Sequence, residues 1–66
     1  MNRPRWVRRA AADYVARHGD NAVEVIRGLC VEAHRRGDRL GFRLWRDVGV
    51  AADEMLMEQA AAIFRA

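Results

Sequence analysis

Arg17-His18-Gly19-Asp20 and Arg35-Arg36-Gly37-Asp38 decide how this chain folds. Each is a basic pair, a glycine and an aspartate, and each is followed by a new apolar periodicity. A glycine accepts the left-handed backbone that ends a helix, basic residues before it favour the negative end of the helix dipole, and an aspartate after it can cap the next helix. The two junctions therefore predict three helices, at about residues 5–18, 21–36 and 39–65. The expected fold class is all-α: a helical hairpin packed on a long C-terminal helix, forming a dimer.

In the first helix Trp6, Val7, Ala10, Ala11, Tyr14 and Val15 recur at three- and four-residue intervals, while Arg8, Arg9, Asp13 and Arg17 fall largely on the other side. Pro4, which has no N–H to leave unpaired, suits the first turn or the residue before it, so Met1 to Pro4 read as a short arm. The second helix takes Asp20 or Asn21 as its cap, with Asn21 and Glu24 at capping-box spacing. Its stripe is Ala22, Ile26, Leu29, Cys30 and Ala33, widened by Val23 and Val25. Gly28 in its interior costs about 1 kcal/mol relative to alanine, which points to close approach of another backbone.

The third helix carries Leu40, Trp45, Val48, Ala52, Met55, Leu56, Gln59 and Ile63 along one face, with no proline to interrupt it. If continuous through Gly49 it is about 40 Å long, against about 24 Å for the second helix, so its own hairpin cannot cover it. Either it breaks near Gly49, or its C-terminal half, with Met55, Leu56, Met57, Ile63 and Phe64, packs on a second subunit. The second reading is preferred, because an exposed apolar patch of that size marks a contact site. Trp45, Val48, Leu56 and Ile26 are the expected core.

Size points the same way. A chain of 66 residues is near the limit at which one core supplies about 3–5 kcal/mol, and its one cysteine cannot close an internal disulfide. Oligomerisation is the remaining support. No signal-peptide h-region or membrane span is legible, so a cytoplasmic location is expected. All 12 basic residues are arginine, which reads as the signature of a GC-rich bacterial genome, and the net charge of +3 is compatible with weak anion affinity without demanding a nucleic-acid partner.

His18-Gly19 with Ala22, followed by Gly37-Asp38, Gly41 and Trp45-Arg46-Asp47-Val48, resembles a loose group of short uncharacterised proteobacterial proteins. That group pairs an early H-G-x-x-A with a later G-D-x-x-G-x-x-x-W. The resemblance covers about residues 6–56. It implies a compact helical fold and brings no activity with it. Gly41, four residues before Trp45, would let a neighbouring helix approach and leave room for the indole.

The candidate functional features each have a plain structural reading beside them. Arg3, Arg5, Arg8 and Arg9 around Trp6 could bind phosphates while the indole stacks on a base or sits in a membrane interface; otherwise they form a solvated helix start with Trp6 turned inward. Arg39, Arg43 and Arg46 share one face of the third helix near Arg35 and Arg36, as an anion surface or a solvated charged face. A helix-turn-helix is disfavoured, since a two-residue junction suits an antiparallel hairpin. His18 and His34, at the ends of different helices, read as surface groups, and Cys30 as a core thiol. Arg36-Gly37-Asp38 spells an integrin-type tripeptide by coincidence.

With no P-loop, dinucleotide fingerprint or nucleophile beside a base, the chain is not expected to be an enzyme, and neither a cofactor nor a metal site is expected. The favoured reading is an interaction or adaptor module, self-associating as a dimer through Met55, Leu56, Gln59, Ile63 and Phe64 and open to a protein partner. The alternative is a nucleic-acid-associated protein with Arg5, Arg8, Arg9, Arg39 and Arg43 as phosphate contacts. A third reading, a subunit of a larger complex, would leave the isolated chain poorly folded.

Overall fold

The computed structural model describes residues 4–65, so the part of the basic arm from Met1 to Arg3 lies outside the described residues. Three α-helical segments follow one another: α1 at Arg5–His18, α2 at Ala22–Arg35 and α3 at Arg39–Arg65, with a 3-10 turn at Gly19–Asn21. All the regular structure among the described residues is helical. α1, the 3-10 turn and α2 follow one another with no intervening loop residue, so the described residues divide into two contiguous helical stretches, 5–35 and 39–65, the first interrupted at Gly19, in place of three separated helices.

The two Gly-Asp pairs are thus not equivalent. Gly37 sits at φ 73°, and the Asp38 N–H donates to the Ala33 carbonyl at 2.9 Å while the Gly37 N–H donates to His34 at 3.0 Å. This is a Schellman closure that ends α2 and satisfies its last carbonyls. Asp38 then caps α3: its carboxylate accepts from the Gly41 N–H at 2.8 Å and its carbonyl from the Phe42 N–H at 2.9 Å. At the first junction Gly19 has φ 55° and ψ −130°, a conformation open only to glycine, and neither Asp20 nor Asn21 makes a side-chain cap. The Ala22 N–H bonds instead to the Gly19 carbonyl, which keeps the backbone paired through the bend. Glu24 closes no capping box with Asn21 and pairs with Arg27 at 3.0 Å.

Pro4 occupies the N-cap position of α1, and its carbonyl accepts from Val7. The core is built largely from small residues. Val7 and Ala11 of α1, Ile26 of α2, and Val48, Ala51 and Ala52 of α3 form one buried cluster, against which Tyr14, Val15, Val23, Trp45 and Met55 pack. Ile26 and Val48 lie where the periodicity expects them, whereas Trp45 and Leu56 are only half-buried. Trp6 and Leu40, expected on apolar faces, are 49% and 67% exposed. Trp6 stands one residue round from Val7, and the stripe that points inward is the one through Val7 and Ala11.

α3 is the spine of the molecule. It packs on both α1 and α2, while those two touch each other comparatively little. α2 runs antiparallel to α3, since Ile26 lies at Gly49 and Cys30, further along α2, lies back at Phe42. The close approach is at Gly49, where a Cβ would stand 3.3 Å from Ile26 Cγ2; Gly28 has open space around it. α3 continues through Gly49 without a break for 27 residues, giving the molecule extents of 45 × 25 × 15 Å.

Candidate interaction surfaces

The length of α3 sets the first surface. Met55 packs against the core and Leu56 is half-buried, but every residue from Met57 to Arg65 is exposed. Among them Met57 is 65%, Ile63 75% and Phe64 90% exposed, with Gln59 also open to solvent. Of the five residues expected to form an interaction surface, Gln59, Ile63 and Phe64 are therefore free to meet a partner, and Met55 and Leu56 mainly anchor the start of the overhang.

A second surface lies at the α2–α3 junction. Arg39, Arg43 and Arg46 follow one face of α3 and, with His34 and Phe42, line an open recess of about 400 Å³. His34 is tilted on the Phe42 ring at 5.5 Å, and the neighbouring Arg36 guanidinium is 3.9 Å from the Asp38 carboxylate. That exposed pair adds little stability. Arg5, Arg8 and Arg9 are exposed on α1 and are not among the residues of this recess. The first turn of α1 has no acidic residue and no side-chain cap, so its positive charges meet the positive end of the helix dipole with no carboxylate in that turn.

The third surface was not anticipated. Along the flank where α2 meets α3, Val23, Ile26 and Cys30 face Trp45, Gly49 and Val50 across a groove of about 380 Å³, rimmed by Arg27, Arg46 and Asp53. Cys30 is half-exposed in this groove, not sealed in the core, and its thiol donates to the Phe42 carbonyl at 3.5 Å. Trp45 is held from behind by Tyr14, edge to face at 5.7 Å. The groove was hidden because its two walls come from different helices, and the register between them is fixed by the glycine contact at Gly49.

Both histidines are exposed, as expected of groups at helix ends, and lie on different helices; His18 stacks on Tyr14 at 5.8 Å. Gly41 has its own explanation, too. The space beside it belongs to the Asp38 carboxylate, with which a Cβ would collide, and not to a neighbouring helix or the Trp45 indole. Among the described residues there is no group of three or more His, Cys, Asp or Glu able to hold a metal ion, and no helix long and apolar enough to cross a membrane. Compared with known proteins, the chain matches no family model, no curated protein and no solved structure.

Proposed function

We propose that this chain is a small non-enzymatic interaction module of the bacterial cytoplasm that assembles as a homodimer through the C-terminal half of α3. The observation that carries the reading is the overhang. α3 outruns the helices that cover it, and the overhanging turns present Met57, Ile63 and Phe64 to solvent. Apolar surface concentrated in this way marks a contact site. A core whose largest fully buried side chains, among the described residues, are Ile26, Val7 and Val48 supports it further, because a small core gains most from a partner. The test is the solution mass by light scattering at low and high salt, with a dimer expected at both and a folded monomer overturning the reading.

A second reading is favoured by the recess at the α2–α3 junction, where Arg39, Arg43 and Arg46 converge. Guanidinium groups at this spacing suit phosphates, and the chain would then be a nucleic-acid-associated protein. Binding would weaken steeply with salt through counterion release, and replacing Arg39 and Arg43 would reduce the slope. Binding that is flat with salt would exclude it.

A further inference from the structure

The overhang and the α2–α3 groove are complementary in shape, in chemistry and in charge. The overhang is a single helix with Ala60, Ala61 and Ala62 among its apolar residues; the groove is an open trough between two helices, floored by Gly49 and walled by Val23, Cys30, Trp45 and Val50. Small residues on both sides allow close approach of a helix to a helix pair.

Charge gives the direction. The first half of α3 carries Arg39, Arg43 and Arg46 against Asp47, whereas its second half carries Asp53, Glu54 and Glu58 against Arg65. The helix is positive at its start and negative towards its end. Laid antiparallel, the second half of one α3 meets the first half of another, and opposite charges oppose. Laid parallel, like meets like. A two-fold axis perpendicular to the two α3 helices accommodates this antiparallel pairing, makes both tail contacts identical and closes the assembly at two copies.

We propose that the groove between α2 and α3 is the docking site for the overhang of a second copy, so that each chain of an antiparallel dimer inserts residues Met57 to Phe64 beside Cys30 and Trp45 of the other. This rests on the self-association proposed above and specifies its geometry: tail in groove, not tail on tail.

Cys30 makes the arrangement testable by cross-linking, since it lines the groove and no other cysteine exists in the chain. Introduce Ala60→Cys and Ala61→Cys in separate variants, both at exposed helical positions. Within one chain neither introduced thiol can reach Cys30, which lies at Phe42; residue 61 is 19 positions further along a rigid helix, or about 28 Å, far beyond disulfide span. Each variant is oxidised mildly, sized by light scattering, and its disulfides are mapped by peptide mass spectrometry, with circular dichroism to establish that it is folded. A covalent dimer in which Cys30 of one chain is joined to the introduced thiol of the other is the expected result. A dimer in which the introduced thiols join only one another, or in which neither reaches Cys30, overturns the groove as docking site and leaves self-association standing. A folded monomer overturns both.

Discussion

The Asp38 carboxylate fills the space that a side chain on Gly41 would need, and the same carboxylate accepts the Gly41 N–H at 2.8 Å. The absence of a Cβ at Gly41 and the presence of a cap at Asp38 are therefore one feature. Alanine is the better helix former by about 1 kcal/mol, so Gly41→Ala would stabilise α3 if the cap were absent. With Asp38 in place, the added methyl expels the carboxylate, and the loss of a cap costs about 1 kcal/mol in addition to the crowding. Urea unfolding of the two single variants and the double variant should show a reversal of sign: Gly41→Ala destabilises the native chain and stabilises the Asp38→Ala variant.

Gly28 and Gly49 make a second contrast. Gly28 has open space where a Cβ would go, and nothing in the structure explains the glycine; Gly49 has Ile26 Cγ2 at 3.3 Å. Gly28→Ala should raise stability by about 0.5–1 kcal/mol. Gly49→Ala gains the same propensity but must displace a branched side chain that is only 1% exposed and cannot swing aside without changing rotamer. Its net effect should be destabilising, and chemical denaturation of the pair tests the order. Equal stabilisation by both would mean that α2 and α3 are not in tight contact at this point.

These glycines also show why the sequence is legible in part. Both helix stops use a positive-φ glycine, and each is visible as a glycine behind basic residues. The difference between the stops lies one step further on, where Gly41 leaves room for the Asp38 cap while nothing comparable follows Asp20. Periodicity finds Ile26 and Val48 because each sits at the centre of an apolar stripe. It overestimates Trp45, Leu56 and Leu40, which sit on flanks whose burial depends on where another helix ends. The overhang of α3 follows from a mismatch of lengths and can be read from the chain. The groove beside Cys30 cannot, because it exists only once the register of α2 against α3 is set.

Ile26 is the largest fully buried side chain among the described residues, and it lies against α3 at Gly49. Truncation of a buried isoleucine to alanine costs about 2–5 kcal/mol, comparable with the whole stability of about 3–5 kcal/mol that a core of this size supplies. Ile26→Ala should therefore lose its helical circular dichroism at 25 °C as an isolated chain. Ile26→Val should keep it, with a cost of about 0.5–1.5 kcal/mol. If Ile26→Ala stayed folded with little change in its denaturation midpoint, the buried cluster would not be what holds the fold.

Phe64 separates folding from assembly more cleanly than any other residue of α3. It is 90% exposed and sits in the last turns of the helix, beyond the part that α1 and α2 cover, so an aspartate there removes no contact from the core. Phe64→Asp should keep the helicity and denaturation midpoint of a monomeric fold while the solution mass falls from dimer to monomer. Leu56→Asp gives a different pattern: Leu56 is half-buried at the root of the overhang, and a charge there should lower stability as well as break the dimer. Reversing Arg5, Arg8 and Arg9 should leave the mass unchanged, since those side chains belong to neither the overhang nor the groove. A Phe64→Asp protein that remains dimeric would place the interface elsewhere on the molecule, whatever the other two variants do.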